Sequence, residues 1–234
     1  VLDWIEQNTQ HWRGEEPDRN AEYLLYQTLI GAWPLSVDRA VAFMTKAVRE
    51  AKVHTSWTDP HEAYEARVER FVRLLLADPD AVDRIEAFLA STDLVDRGRR
   101  CSLAQTTLLL TSPGQPDIYQ GTDGWDLSVA DPDNRRPVDF DAARRGLTSA
   151  CRYSAGAARC SSSGGEPKPW LTQRLLRLRA ARPELFHGSG YEPVELVGAG
   201  SDAIAFQRGR MLVVTTCRST GPPSGASVAL PRGS

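Results

Sequence analysis

The sequence predicts a chain that is helical over its first half and ends in a small β-rich module. Up to about residue 112, apolar residues recur at steps of three and four, which is typical of amphipathic helices. Towards the end, short apolar runs between glycine-rich turns predict strands at 192–196, 203–208, 211–217 and 227–230. The chain has 234 residues. It therefore exceeds the ~150 residues of an ordinary domain and could form one large domain or two small ones.

Five helices are predicted in the first half, each beginning near a polar residue that can cap its amino end. Asn20 is the predicted cap of the first helix, and Ser36 precedes the second. Asp59-Pro60 and Asp78-Pro79 each combine a capping carboxylate with a proline suited to the first helical position. The predicted helices cover 20–32, 37–52, the stretch from Asp59 to about 77, a stretch from Asp78 onward, and 95–110.

The pattern of the chain changes after residue 112. Residues 112–116 form a cluster of turn-forming residues, and 117–121 have the character of a short strand that ends in glycine. Residues 142–165 contain no acidic residue and show no regular period, so we predict a disordered linker over 142–168. A basic helix is predicted over 170–185.

Composition and charge exclude several classes of partner. Hydrophobic residues make up 41% and charged residues 25%, as in soluble globular proteins. The formal net charge is -2, which gives no attraction to nucleic acid or to an anionic membrane surface. No apolar run approaches the ~20 residues of a membrane span, and the first residues lack a signal-peptide pattern. We therefore expect a cytoplasmic protein. The four cysteines form no C-x-x-C pair, so neither a zinc site nor a disulfide framework is predicted.

Common catalytic and metal-binding motifs are absent from the sequence. It contains no glycine-rich nucleotide loop, zinc-protease motif or esterase motif. The string Asp131-Pro132-Asp133-Asn134 resembles part of a calcium loop, but it lacks the glycine and the final glutamate of an EF-hand. The sequence therefore does not favour a metal site.

Residues 52–57 and 119–139 carry a pattern that suits sugar binding. Both segments place aromatic residues among charged ones. Aromatic rings pack against the C–H faces of a sugar, while carboxylates and guanidinium groups form paired hydrogen bonds with its hydroxyls. The candidate binding residues are Lys52, His54, Trp57, Tyr119, Trp125, Asp126, Arg135, Arg136 and Asp139.

The same residues also allow a purely structural interpretation. Trp57 and Trp125 could be packing residues, either in the core or between domains. Arg135 and Arg136 could pair with Asp131, Asp133 and Asp139 and thereby fix a loop. His54 could orient a hydroxyl group or be a structural histidine.

Three strings of the sequence closely resemble the maltooligosyltrehalose synthase family. They run from Arg19 to Pro34, from Arg49 to Trp57 and from Pro113 to Asp139. The resemblance covers about residues 1–145 and resumes near 170; residues 146–168 do not match. This unmatched stretch could be a divergent linker or the trace of a reading-frame slip.

The resemblance implies a fold of the α-amylase-like superfamily, namely a (β/α)8 barrel of the TIM type. The chain would be an α/β barrel fragment. Residues 1–100 would be a helical subdomain inserted in the barrel, and 101–186 its last strand and helix with the linker 142–168. Residues 187–234 would be part of a C-terminal β-sandwich domain. Such a fragment should expose apolar surface and dissolve poorly.

The resemblance also implies a reaction, in which a terminal glucose of a maltooligosaccharide moves from an α-1,4 to an α,α-1,1 linkage. No cofactor is implied. Retaining chemistry of this kind needs two carboxyl groups about 5 Å apart, and the strings that carry the family's catalytic carboxylates are not found here. No catalytic residue is therefore assigned, and we expect the N-terminal barrel portion to be missing.

Two alternatives stay open. The chain could be an inactive segment that contacts maltooligosaccharide, or it could belong to an α-amylase-like hydrolase. In TIM-type barrels the active site lies at the carboxyl ends of the strands. Residues 119–139 would follow the last strand and would line that site.

Overall fold

The computed structural model describes residues 17–150, 167–197, 203–216 and 227–228. These residues form a mostly helical structure with a small antiparallel sheet. The chain divides into two compact units. The first runs to Thr92 and takes in Leu127–Pro137, and the second comprises Asp93–Asp126 and continues from Val138.

The described part of the first unit contains four helices and one returning loop. The helices are α1 (Arg19–Ala32), α2 (Val37–Ala51), α3 (Glu62–Ala77) and α4 (Pro79–Ser91). Their apolar stripes meet in one core around Leu29, Met44 and Val72, each at most 1% exposed. Val129 of the loop 127–137 packs against the same core. The predicted helices are confirmed here, since the 3.6-residue period describes the faces that become buried.

Two helix starts differ from the prediction. Asp18, rather than Asn20, caps α1, because its Oδ1 accepts hydrogen bonds from the backbone N–H groups of Asn20 and Ala21 at 2.9 and 3.1 Å. Asp59-Pro60 does not begin α3, which starts at Glu62. Thr55 Oγ1 instead accepts a hydrogen bond from the backbone N–H of His61 at 2.9 Å and so determines how the chain enters that helix. Asp78 caps α4 as predicted.

Three helices and short strands build the second unit. The helices are α5 (Leu94–Thr111), α6 (Phe140–Ala150) and α7 (Pro167–Ala181), and a 3-10 turn follows at Pro183–Leu185. Strands β1 (Glu192–Pro193), β3 (Ala203–Arg208) and β4 (Met211–Thr216) form an antiparallel sheet in the order β1-β3-β4. Strands β2 (Leu196–Val197) and β5 (Ser227–Val228) pair separately.

Arg208 ties the parts of the second unit together. It lies on β3 and is only 2% exposed. Its guanidinium donates hydrogen bonds of 3.0 and 3.1 Å to the carbonyls of Thr111 and Ser112 at the end of α5, and one of 3.0 Å to Phe186 O. Burial lowers the pKa of Arg208, and the nearby Arg179 lowers it further. Cations are favoured at the carboxyl end of a helix, where carbonyl groups lack partners, so this arginine closes α5.

Two expectations for the middle of the chain are wrong. Residues 117–121 are not a strand in the structure. A strand requires a neighbour to pair with its backbone groups, and none of the described strands pairs with this segment. Of the predicted linker 142–168, residues 142–150 belong to α6 and residues 167–168 to α7, whereas residues 151–166 lie outside the described part. The loop 127–137 contains a 3-10 turn at Asp133–Arg135.

Candidate functional site

The loop between α2 and α3, residues 52–61, carries three of the candidate residues. Lys52 ends α2 in the left-handed backbone conformation, with φ of 56°. It is exposed, and Trp57 is exposed by 57%. Trp57 is therefore not a core residue of this chain, which leaves packing between domains as its structural interpretation. A large aromatic ring at the surface of a well-formed loop is available to a ligand.

Arg49, Glu65 and Thr55 hold this loop, and we call these three residues the Glu65 network. Arg49 donates two hydrogen bonds to the Glu65 carboxylate, from Nε at 2.8 Å and from Nη2 at 2.7 Å. Thr55 Oγ1, in a residue only 4% exposed, donates a third to Glu65 Oε1 at 2.6 Å. The guanidinium of Arg49 lies 4.8 Å from the centre of the Trp57 ring, within the range of a cation–π contact.

The Glu65 network fixes the charge of its carboxylate. The hydrogen bond with Arg49 lowers the pKa of Glu65 from 4.5 to about 2, burial opposes this, and Thr55 lowers the pKa further. Glu65 is thus ionised and neutralised by Arg49 at neutral pH. Such a group cannot supply a proton to a reaction near pH 7, so its role is to position its neighbours.

His54 belongs to a second cluster on the first unit. The Asp18 carboxylate that caps α1 also accepts a hydrogen bond from the Tyr64 hydroxyl at 2.8 Å, and His54 Nε2 lies 3.5 Å from it. The rings of His54 and Tyr64 are 4.8 Å apart. Burial raises the pKa of Asp18, but the hydrogen bonds from Tyr64, Ala21 and Asn20 lower it more in sum. His54 therefore has structural partners, as one of its two interpretations expected.

The loop 127–137 is held by an arginine that sequence reasoning did not single out. Arg39 on α2 binds both oxygens of Asp133 at 2.8 Å and the carbonyl of Leu127 at 2.9 Å. Asp133 Oδ2 also accepts from the backbone N–H of Val129 at 2.9 Å. The hydrogen bond with Arg39 lowers the pKa of Asp133 from 3.8 to about 2 against the effect of burial.

Arg135 and Arg136 lie on this loop, and the structure pairs each with an aspartate. Arg135 contacts Asp131, while Arg136 contacts Asp133 and donates to Ser128 Oγ at 3.1 Å. These pairs confirm the structural interpretation for both arginines. The Arg135 side chain is nevertheless 69% exposed and lies where a ligand could reach it.

The remaining candidates belong to the second unit. Tyr119 is 44% exposed, and the guanidinium of Arg99 lies 5.8 Å from the centre of the half-buried Trp125 ring. Asp126 lines a cavity of about 490 Å³ beside α5, together with Lys168. Asp139 does not pair with an arginine as the structural interpretation expected. Its Oδ1 accepts from the backbone N–H of Ala142 at 2.8 Å and so caps the start of α6.

Sequence reasoning missed Arg39, Arg49 and Glu65 because their signal is not local. Arg39 and Asp133 are 94 positions apart, and Arg49 and Glu65 are 16 apart on different helices. Charged residues at such spacings look like ordinary helix surface. The one available clue was that Arg49 stands within the resemblance string that ends at Trp57.

The structure offers no metal site or membrane span within the residues it describes. Over that part of the chain, no three histidine, cysteine or acidic residues come together in a way that could hold an ion. No helix there is both long and apolar enough to cross a membrane.

Comparison with known proteins gives relatives of one kind. No family model matches the chain. A Mycobacterium tuberculosis protein (strain CDC 1551 / Oshkosh) with the provisional name maltooligosyl trehalose synthase is 36% identical over 212 residues, 87% of this chain and 26% of its own length. The solved maltooligosyltrehalose synthase from Arthrobacter ramosus is 37% identical with a TM-score of 0.74, covering 91% of this chain and 28% of that one.

A second solved structure agrees with these matches. A maltooligosyl trehalose synthase crystal structure has a TM-score of 0.79 at 29% identity, covering 94% of this chain and 31% of that one. These relatives share one class, the synthases that form glycosylated trehalose. The chain belongs to the maltooligosyltrehalose synthase family, and it spans about a quarter of the length of the curated relatives it matches.

Proposed function

We propose that the chain supplies part of the surface that binds maltooligosaccharide in a glucosylmutase of trehalose formation. The observation that carries this proposal is the exposed Trp57, held beside Arg49 on a loop that also bears Lys52. An exposed ring flanked by fixed charged groups suits a glucose unit, which has an apolar face and a rim of hydroxyls. Tyr119, Trp125, Asp126 and Arg135 are also proposed to contact the sugar, on the grounds of their residue types alone.

We also propose that the groups that break the glycosidic bond are not in this chain. A retaining transfer requires a nucleophilic carboxylate and an acid/base carboxyl group about 5 Å apart. The best-held carboxylates of the first unit, Glu65 and Asp133, are each bound to an arginine and have pKa values of about 2. The relatives are three to four times longer than this chain, which leaves room for the reacting carboxylates in their other parts.

We further propose where the parts of this chain lie in the larger fold. Residues 1–100 are proposed to be the helical insertion of an amylase-like barrel, 101–186 its last portion, and 187–234 the start of a β-domain. In TIM-type barrels the substrate binds at the carboxyl ends of the strands. We propose that residues 119–139 belong to that side of the barrel, although no described strand directly precedes them.

Titration calorimetry with maltopentaose tests the binding proposal on the chain as it stands. We expect binding without turnover, and Trp57→Ala should weaken it by roughly tenfold, the equivalent of losing one stacking contact. Glucose release or loss of reducing ends in the same mixture would overturn the assignment of the chemistry to other residues. Binding that is unchanged in Trp57→Ala would remove Trp57 from the site.

The reaction itself is tested on a longer protein that contains this sequence. Incubation with maltopentaose should convert a reducing sugar into a non-reducing product without releasing free glucose. Free glucose as the sole product would indicate a hydrolase of the α-amylase type instead.

A further inference from the structure

We propose that Glu65 is a positioning residue that sets the orientation of Trp57 for stacking against a glucose ring. This inference rests on the proposed function, because it assigns a role to a residue that acts through the binding surface. Glu65 lies on α3, whereas Trp57 is on the preceding loop, so any effect must pass through residues between them.

The first route from Glu65 to Trp57 runs through Arg49. A guanidinium group is planar, and two parallel hydrogen bonds to one carboxylate fix its plane as well as its position. Glu65 makes both bonds to Arg49, at 2.8 and 2.7 Å. Because the same guanidinium lies 4.8 Å from the Trp57 ring centre, fixing its plane limits how the indole can tilt.

The second route runs through the backbone of the loop. Thr55 donates to Glu65 at 2.6 Å and accepts from the N–H of His61 at 2.9 Å. Thr55 is thus bound directly to the carboxylate, and His61, at the end of the loop, is linked to it through Thr55. Between them, Ser56 and Asp59 close a turn through bonds of 3.1 and 2.9 Å. Trp57 stands inside this turn, two residues after Thr55. The network thus anchors its main chain as well as its ring.

Replacing Glu65 by glutamine would disturb the first route with little change of shape. An amide has one acceptor oxygen and one NH2 donor group. With its oxygen in the place of Oε1, the amide can still accept from Arg49 Nε and Thr55 Oγ1, but its NH2 would face the Nη2 donor of Arg49. The guanidinium would lose its second bond and its fixed plane, and we expect the indole to adopt several orientations.

The experiment is a double-mutant cycle on maltopentaose binding, measured by calorimetry. We expect Glu65→Gln to weaken binding by roughly fivefold to tenfold in the wild-type background. In a Trp57→Ala background the same substitution should have no further effect, because Glu65 acts through the indole. Arg49→Lys, which keeps the charge but cannot form the paired hydrogen bonds, should behave like Glu65→Gln.

The chain offers a matched control one turn along the same helix. Glu69 pairs with Arg73 at 2.8 Å on the exposed face of α3. Glu69→Gln therefore removes a similar carboxylate, but one outside the Glu65 network. It should leave maltopentaose affinity within about twofold of the wild type, since an exposed helix pair contributes little.

A spectroscopic measurement separates positioning from general folding. The near-UV circular dichroism of the wild type minus that of Trp57→Phe isolates the signal of the Trp57 ring. This difference signal should collapse in Glu65→Gln while the far-UV spectrum stays the same. An unchanged difference signal, or equal losses of affinity from Glu65→Gln with and without Trp57, would overturn the inference.

The outcomes also distinguish this inference from the proposed function. If the wild type does not bind maltopentaose, the proposed function fails, while the difference signal still decides whether Glu65 orients Trp57. If Trp57→Ala weakens binding but Glu65→Gln matches the Glu69→Gln control, the proposed function stands and the positioning role is wrong.

Discussion

At the scale of single residues, the first unit depends on two carboxylates that bind arginine side chains in pairs of hydrogen bonds. Asp133 and Glu65 have side chains only 11% exposed, and both partners of each pair have partly left water. Such bonds are stronger than the exposed pairs found elsewhere on the helices, whose charges remain hydrated. Removing one partner leaves the other charge partly buried, which costs more than the bond itself contributes.

Asp133→Asn should destabilise the chain by about 2 kcal/mol, because Arg39 would lose its counter-charge and one of its two acceptors on residue 133. Chemical denaturation followed by circular dichroism measures the change. Asp141→Asn is the control, since Asp141 and its partner Arg144 are 76% and 78% exposed. We expect the control to change the free energy of unfolding by less than about 0.5 kcal/mol, and equal effects of the two substitutions would contradict the role of Asp133.

Acid should unfold the chain through the same two carboxylates. In the folded state the pKa of Glu65 falls from 4.5 to about 2, and that of Asp133 from 3.8 to about 2. The unfolded chain therefore binds protons more readily, and lowering the pH favours it. The stabilisation is complete above about pH 4.5 and is lost as the pH falls to about 2.

Denaturation curves recorded between pH 6 and pH 2 check this prediction. The free energy of unfolding of the wild type should fall over the window from about pH 4.5 to about pH 2. In Glu65→Gln and Asp133→Asn the fall should be shallower, since each variant lacks one of the titrating groups. Parallel curves for the wild type and both variants would show that other carboxylates govern acid unfolding.

At the scale of elements, the helices of the first unit differ in how their amino ends are satisfied. Asp18 caps α1 and at the same time accepts the Tyr64 hydroxyl of α3, so one carboxylate joins two helices. Ser36 precedes α2 but makes no side-chain capping bond. Asp and Ser are both preferred capping residues, yet of these two positions only Asp18 accepts hydrogen bonds from the backbone of its helix.

Asp18→Ala should cost about 1 to 2 kcal/mol of stability, because α1 loses its cap and Tyr64 loses its acceptor. Ser36→Ala should cost less than about 0.5 kcal/mol, because no capping bond is removed. Thermal unfolding of the two variants beside the wild type measures the difference. A larger effect at Ser36 than at Asp18 would refute this account of the helix starts.

The helices could be predicted from the sequence because their signal is periodic and local. The described helices α1, α2, α3 and α5 are predicted with ends within a few residues of those observed, apart from the start of α3, and for α4 only the start is predicted. Asp and Asn are both preferred capping residues, so the residue types near α1 do not decide between Asp18 and Asn20. The supposed strand at 117–121 failed for a related reason, since apolar alternation does not reveal whether a pairing partner is present.

The candidate site could be predicted in part, because some of its residues are recognisable from the local sequence. The aromatic and charged composition of the loop 52–57 identified Trp57 and Lys52, and the structure leaves both exposed. The residues that hold the loop, Arg49 and Glu65, come from the flanking helices and carry no sugar-binding pattern of their own. Composition can thus indicate which groups could meet a ligand, whereas the network that positions them is a property of the folded chain.

At the scale of the whole molecule, the described part of the second unit exposes apolar side chains along one groove. A groove of about 510 Å³ runs between α6 and α7, lined among others by Phe140, Leu147 and Leu176. These three side chains are 67%, 44% and 43% exposed. Contiguous apolar surface of this kind is an interaction surface or an aggregation liability.

The chain alone should bind an apolar dye and self-associate as its concentration rises, because this groove is open to water. Replacing Phe140 and Leu176 by serine should reduce dye fluorescence by roughly half, since the two rank among the more exposed apolar groups of the groove. Fluorescence titration and light scattering provide the measurements. If the wild-type chain stays monomeric and the dye shows no increase in fluorescence, the groove is covered in solution.

The return of the loop 127–137 to the first unit has a practical consequence for anyone who shortens this polypeptide. A fragment that stops at residue 92 would keep α1 to α4 but would remove Asp133 from Arg39 and Val129 from the core. A fragment meant to hold the whole first unit would therefore have to include residues 127–137 and could leave out residues 93–126.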